Sequence, residues 1–147
     1  MGTAVSMIAF IGSRAVIASI GDSRIYNLSS GKLTQITKDH TLVQELVDSG
    51  SINESEAKTH PIAHMLTRSL GPIEKIEAQY FEQEVVEGDR YLICSDGLYN
   101  HVSDEEIEEM INTKGPKEAC DSLLSICLLY TSPSPRDATL SRMPSSA

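Results

Sequence analysis

The sequence predicts an α+β fold. Short apolar stretches separated by turn-forming residues run from Val5 to Thr37 and are typical of β-strands. From Asp39 the apolar spacing becomes helical, it returns to the strand type between Ile76 and Ser95, and it is helical again up to about residue 127. With 147 residues the chain has about the length of one domain, enough for a hydrophobic core.

The first part of the chain reads as an antiparallel meander. Gly12-Ser13 and Ser29-Ser30-Gly31 separate apolar runs and suit tight hairpin turns, so consecutive strands are expected to pair. The predicted strands are Val5–Ile11, Ala15–Ile20, Arg24–Leu28 and Lys32–Thr37.

Short helices are predicted next. Residues 41–47 carry their apolar side chains on one helical face, and Gly50 ends that helix. Asn53 with Glu56 has the spacing of a capping box, so it predicts a second helix, which Pro61 limits. A further turn is expected over residues 64–70. Small helices inserted between strands suggest a surface excursion that moves relative to the sheet.

The later part returns to strands and then to helices. Strands are predicted over residues 76–86 and 90–95, and Ser103 with Glu106 forms a capping box that starts a helix ending at Ile111. A last helix begins at Pro116. Its core-facing residues are predicted to be Cys120, Leu123, Leu124 and Cys127.

Composition excludes some function classes. The chain has 12 basic and 21 acidic residues, a net charge of −9, which argues against nucleic acid or an anionic membrane as the main partner. The acidic run from Asp104 to Glu109 is either a cation-binding patch or, as the default, a solvated helix face. Three cysteines cannot all pair, and Cys94 lies in a predicted buried strand, which suggests a reducing cytoplasm. No apolar run approaches the roughly 20 residues that span a bilayer.

The stretch 131–147 differs from the rest of the chain. It contains three of the six prolines and five serines and has no apolar period. We expect either a disordered tail or translated vector sequence joined to a truncated gene.

Two carboxylates occupy similar places in the pattern. Asp22 and Asp96 each follow an apolar strand, in IGDSR and CSDG. Either is a plausible turn former, since Asp bonds its neighbouring backbone and Gly tolerates positive φ. The alternative is a metal site, because Mg²⁺ and Mn²⁺ prefer oxygen ligands and a pair of such ions can activate water against a phosphate. The spacing alone leaves both interpretations open.

Other candidate residues carry weaker signals. His60 and His64 have the spacing of a helical zinc pair, but Pro61 lies between them and a third ligand is missing. Arg24 suits phosphate contact or, as the stronger expectation, a structural pairing beside Asp22. Ser95 lacks the sequence context of a nucleophile.

The order of five segments adds a resemblance to a known family. MGTAV, IGDSRIY, LTQITKDHTLVQELVDSG, HPIAHMLTRSLG and EGDRYLICSDGLYNHVSDEEI follow one another, and together they resemble the bacterial branch of the metal-dependent protein phosphatases (PPM, type 2C serine/threonine phosphatases). The resemblance covers about residues 1–127, and residues 39–71 correspond to the family's flap.

This resemblance implies a four-layer α-β-β-α sandwich of two antiparallel sheets flanked by helices. It implies metal-dependent hydrolysis of phosphoserine and phosphothreonine on proteins by the intact parent, with two or three Mn²⁺ or Mg²⁺ ions. Asp96 would be a metal ligand, and Asp22 would join it at an additional, weaker site. The expected partners are phosphorylated proteins, in opposition to a bacterial serine/threonine kinase, and the expected parent is a monomer.

The sequence also departs from the family pattern. No Asp or Glu precedes Asp22, so the D-G-x-G-G-H motif with its general-acid histidine is absent, and no Asp-Asn pair follows. We therefore expect residues 1–127 to be a partial, incomplete domain with no catalytic residue of its own and negligible activity. Its substrate-binding residues stay unknown. The alternative is a non-catalytic module that keeps the sandwich and binds a phosphoprotein or kinase.

Overall fold

A computed structural model describes residues 3–61, 65–67 and 77–130. The chain divides into two compact units: unit 1 takes residues 1–23 and 37–84, and unit 2 takes residues 24–36 and 85–147. Each unit contains one three-stranded antiparallel sheet together with helices. The predicted α+β class with two antiparallel sheets is confirmed.

The sheet of unit 1 has the strand order β1-β2-β5. Strands β1 (Val5–Ile11) and β2 (Arg14–Ile20) form a hairpin around Gly12, whose φ of 59° suits a residue without a side chain. Strand β5 (Gln79–Glu84) pairs with the other edge of β2. On β2 the buried residues alternate with exposed ones at the start of the strand, as expected for a sheet with two different faces.

Two short helices complete the described part of unit 1. Helix α1 (Leu42–Asp48) starts at Thr41, whose side chain accepts a hydrogen bond from the Gln44 N–H at 3.2 Å. Helix α2 (Glu54–Thr59) starts with the predicted capping box, since Asn53 and Glu56 each bond the other's backbone N–H. Capping satisfies N–H groups that no helical carbonyl reaches, which is why these local sequences predict helix starts well.

The sheet of unit 2 has the strand order β4-β3-β6. Strands β3 (Arg24–Ser29) and β4 (Lys32–Gln35) are joined by a two-residue turn in which Ser30 and Gly31 have φ values of 51° and 80°. Positive φ at both central positions is the type I′ arrangement that matches strand twist. Strand β6 (Arg90–Cys94) pairs with the other side of β3.

Three helices follow in unit 2 and close its core. They are α3 (Asp96–Tyr99), α4 (Asp104–Thr113) and α5 (Pro116–Tyr130). The four α5 residues predicted to face the core are all buried. The core joins β3 and β6 to the three helices through Tyr26, Leu28, Leu92, Cys94, Leu98, Val102, Ile107, Ile111, Leu123 and Cys127.

Several sequence predictions need correction. Consecutive strands do not form one meander, because β2 and β3 belong to different sheets. The strand predicted to end at Thr37 already ends at Gln35, and α4 continues past the predicted Ile111 to Thr113. The turn predicted over residues 64–70 falls largely outside the described residues, as does the stretch 131–147.

Candidate active site

Asp96 lies where β6 ends and α3 begins. Ser95 holds the N-cap position in extended conformation, and the Asp96 carbonyl accepts a hydrogen bond from the Asn100 N–H at 3.1 Å. An Asp-Gly turn was one of the two interpretations of the sequence here, and Asp96 and Gly97 form the first turn of a short helix. Leu98, on that helix, is buried in the core of unit 2. The carboxylate therefore sits at a partly exposed end of a strand whose neighbours are fixed by packing.

The helix that carries Asp96 is also contacted from β3. The guanidinium carbon of Arg24 lies 3.6 Å from the centre of the Tyr99 ring, and Tyr99 is the last residue of α3. A cation at this distance from an aromatic face is attracted by the ring electrons. Arg24 thus has an aromatic partner that the sequence did not predict.

Tyr26 extends this cluster to the next helix. Arg24 Nη1 donates to the Tyr26 hydroxyl at 3.1 Å, and that hydroxyl donates to Oδ1 of Asp104, the first residue of α4, at 3.1 Å. Tyr26 is fully buried, and this burial raises the pKa of its phenol well above the ordinary value, although Arg24 opposes the shift in part. The phenol therefore stays protonated and keeps its donor role.

Asp22 lies in unit 1, directly after β2 and Gly21. Gly21 has a φ of 100°, a conformation that residues with side chains rarely adopt. Its N–H donates to Nδ1 of His40 at 2.9 Å, and its carbonyl accepts from the His40 N–H at 2.8 Å. These two bonds fix the backbone immediately before Asp22.

His40 is itself held in place. It is 6% exposed, and its ring lies beside the side-chain amide of Gln79. The Gln79 amide accepts from the Lys38 N–H at 3.0 Å and donates to the Lys38 carbonyl at 2.7 Å. A side chain from β5 thereby holds the backbone at Lys38, two residues before His40.

Two backbone segments, residues 40–42 and 65–67, meet beside His40. The Leu42 N–H donates to the Met65 carbonyl, and the Thr67 N–H donates to the His40 carbonyl, both at 2.9 Å. Thr41 and Leu66 accordingly form an isolated antiparallel bridge. His40 thus hydrogen-bonds both to the residue before Asp22 and to Thr67.

The donor chemistry at Asp22 and Asp96 suits a hard divalent cation, but the number of donors does not. Carboxylate oxygens are preferred ligands of Mg²⁺ and Mn²⁺. Asp22 belongs to unit 1 and Asp96 to unit 2, and the described residues contain no group of three or more His, Cys, Asp or Glu side chains able to hold a metal. Among the described residues, these two carboxylates therefore do not by themselves make up a complete metal site.

Other candidate features lie away from the two carboxylates. A cleft of about 330 Å³ in unit 2 is formed by turns and strand ends around Gly31, Gly88 and Asn112, and Asp96 does not line it. His64, the second member of the zinc pair suggested with His60, lies outside the described residues. Among the described helices, none has the length and apolar character needed to cross a membrane.

Comparison with known proteins decides the family. No family model matches the chain. The serine/threonine protein phosphatase PstP of Mycobacterium tuberculosis is 45% identical over 128 residues, which are 87% of this chain and 25% of PstP. The serine/threonine phosphatase Stp of Listeria monocytogenes is 41% identical over 114 residues, 78% of this chain and 45% of Stp. The chain belongs to the bacterial PPM-type serine/threonine phosphatase family.

Solved structures of this phosphatase family agree with the described fold. The crystal structure of M. tuberculosis PstP matches with a TM-score of 0.84 and 44% identity, over 88% of this chain and 55% of that one. The PstP catalytic domain in complex with two manganese ions matches with a TM-score of 0.81 and 42% identity, over 91% of this chain and 55% of that one. The chain therefore spans about half the length of these phosphatase structures.

Sequence reasoning missed several residues around the two carboxylates of this phosphatase chain. His40, Gln79 and Tyr99 were not singled out, although His40 lies in a segment that carried the resemblance. A histidine beside short apolar helices is a recognisable signal, but its partners Gly21 and Gln79 are distant in sequence. Such pairs become visible only when the strands are placed.

Proposed function

We propose that the intact protein containing this phosphatase segment hydrolyses phosphoserine and phosphothreonine on proteins. The supporting observation is the 45% identity over 128 residues to a serine/threonine protein phosphatase, together with a matching fold at a TM-score of 0.84. The substrates we propose are phosphorylated proteins, and the enzyme would oppose a serine/threonine kinase. We further propose that the parent is a monomer located in the cytoplasm.

The proposed reaction depends on Mn²⁺ or Mg²⁺. A solved relative carries two manganese ions, and Asp22 and Asp96 offer the carboxylate oxygens that such ions prefer. We propose both residues as metal ligands, with Asp96 central and Asp22 at a weaker additional site. The remaining ligands would come from parts of the parent outside the described residues, and a bound metal would supply an activated water for attack on the phosphate.

The polypeptide by itself is expected to have negligible activity, because its sequence lacks the Asp-Gly-x-Gly-Gly-His motif and the Asp-Asn pair of the family pattern. The test is manganese-dependent hydrolysis of p-nitrophenyl phosphate and of a phosphothreonine peptide. Activity that requires manganese and disappears in Asp96→Ala would overturn this expectation. Asp121→Ala is a matched control, since Asp121 is exposed on α5.

A longer version of the protein tests the phosphatase proposal directly. The gene upstream of this segment should encode an in-frame Asp-Gly-x-Gly-Gly-His motif. The protein extended by that sequence should then hydrolyse both substrates, lose activity in Asp96→Ala, and require more manganese in Asp22→Ala. A soluble, extended protein with this motif and no turnover at any manganese concentration would refute the proposal.

A second candidate is a non-catalytic module that binds a phosphoprotein or a kinase. The observation that favours it is the lack of a three-ligand group among the described side chains. An upstream region without the Asp-Gly-x-Gly-Gly-His motif would support it, provided that the protein binds a phosphothreonine peptide without releasing phosphate.

A further inference from the structure

We propose that Arg24 is a positioning residue for Asp96 and acts through Tyr99. The functional importance of Asp96 rests on the proposed function, whereas the mechanical link between Arg24 and the Asp96 helix rests on contacts within unit 2 alone.

The strand register places Arg24 opposite Cys94, two residues before Asp96. Arg24 is the first residue of β3, and its Cα partner in the sheet is Cys94, the last residue of β6. The chain needs only Ser95 to pass from Cys94 to Asp96. From the start of β3, the Arg24 side chain extends to Tyr99, the last residue of α3, and its guanidinium carbon lies 3.6 Å from the centre of the Tyr99 ring.

Helix α3 needs such support because it is a single turn of four residues. Isolated helices this short are unstable, since the first turn costs more conformational entropy than its hydrogen bonds return. Leu98 anchors one side of α3 in the core. The Arg24 contact with Tyr99 holds another side, so together they determine where the Asp96 carboxylate is placed.

The same guanidinium acts on the next helix. Its Nη1 donates to the Tyr26 hydroxyl, which in turn donates to Asp104 at the start of α4. One arginine is therefore linked to the segment from Asp96 to Asp104 at two points, directly at Tyr99 and through the Tyr26 hydroxyl at Asp104. A planar guanidinium can stack with its face and donate from its edge, whereas the compact ammonium of lysine provides only a point charge.

Hydrogen exchange of backbone amides tests this link in the chain itself. Four amides report on the Asp96 turn, because each bonds a carbonyl within it: Leu98, Asn100, His101 and Val102. In Arg24→Gln these amides should exchange about fivefold faster, corresponding to a lost cation–π contact of about 1 kcal/mol. Amides of β1 and β2 in unit 1 should keep their rates.

Conservative variants separate positioning from general structural damage. Tyr99→Phe keeps the ring and should exchange more slowly than Tyr99→Leu, which should resemble Arg24→Gln. The double variant Arg24→Gln/Tyr99→Leu should add little to either single change, because both remove the same contact. Tyr26→Phe is the matched control: it removes the hydroxyl link to Asp104 but keeps the stacking on Tyr99, so it should affect α4 and spare α3.

Two outcomes would overturn the positioning role. One is unchanged exchange of the four amides in Arg24→Gln, and the other is equal acceleration throughout unit 2, which would show general destabilisation. In the extended protein, Arg24→Gln should raise the manganese concentration for half-maximal activity, and Arg24→Lys should restore part of the loss. If the extended wild type is inactive, the proposed function fails while the exchange data still decide the role of Arg24.

Discussion

Replacing His40 by alanine should destabilise unit 1 strongly. The imidazole Nδ1 accepts the hydrogen bond of the buried Gly21 N–H, and its loss leaves a buried donor without a partner, at a cost of about 1–3 kcal/mol. Removal of a ring that is 6% exposed also leaves a cavity, which adds about 1–2 kcal/mol. The expected total is about 2–5 kcal/mol.

Urea unfolding followed by circular dichroism measures this loss. At a slope of about 1.5 kcal/mol per molar urea, the midpoint of His40→Ala should fall by about 1–3 M. His40→Asn should recover part of the stability, because the asparagine Oδ1 can accept the Gly21 hydrogen bond. His101→Ala, at an exposed histidine, should change stability by less than about 0.5 kcal/mol.

Two results would contradict this reasoning. A free energy of unfolding for His40→Ala within about 0.5 kcal/mol of the wild type would show that the histidine does not hold the strand end. Equal losses in His40→Asn and His40→Ala would show that ring volume matters and that the Gly21 hydrogen bond does not.

Three further predictions concern ionisation, the edge strand and the core. Burial raises the pKa of Tyr26, so the protonated phenol contributes fully to stability below the unfolded pKa of about 10, and this contribution is lost as the pH rises above it. In urea titrations the wild type should therefore lose more stability than Tyr26→Phe between about pH 10 and 12. Parallel curves for the two proteins would refute this. Met7 and Ile11 are 58% and 65% exposed on one face of β1, so we expect the protein to be poorly soluble. The double variant Met7→Lys/Ile11→Lys should reduce self-association, as measured by size-exclusion chromatography. An unchanged elution profile would contradict this. Ile107→Ala, at a fully buried position, should lower the free energy of unfolding in urea by about 2–5 kcal/mol. Leu129→Ala, at an 82% exposed position, should lower it by less than about 0.5 kcal/mol. Similar losses in the two variants would refute the assignment of the core.

Local patterns predicted the helices of this chain well. The capping box at Asn53 and the core spacing of α5 depend on residues within one or two turns, and the structure confirms both. Of the capping box predicted at Ser103, the structure shows the bond from the Glu106 N–H to the Ser103 side chain. The sequence signals were sufficient because each interaction joins residues that are near one another along the chain.

Long-range arrangement was less predictable. Gly21-Asp22-Ser23 looks like another hairpin turn, but the strands on either side of it enter different sheets. Turn residues determine the local backbone and do not determine which strand pairs with which.

The candidate site shows the same division. Asp22 and Asp96 were found because each follows an apolar strand within a short motif, and their role as metal ligands stays a prediction. The contacts around them join residues far apart in sequence, as His40 does with Gly21 and Arg24 with Tyr99. Apolar periodicity carries no information about such pairs.

The bridge between Thr41 and Leu66 has a consequence for how the segment between these residues can vary. The bridge between Thr41 and Leu66 closes the excursion at its base, and the two backbone hydrogen bonds there do not depend on side-chain identity. Lengthening a closed surface loop costs only about 0.6 kcal/mol per doubling of its length. We therefore expect changes of length between Thr41 and Leu66 to cost little, so this segment can vary in length while the bridge at its base keeps its backbone hydrogen bonds.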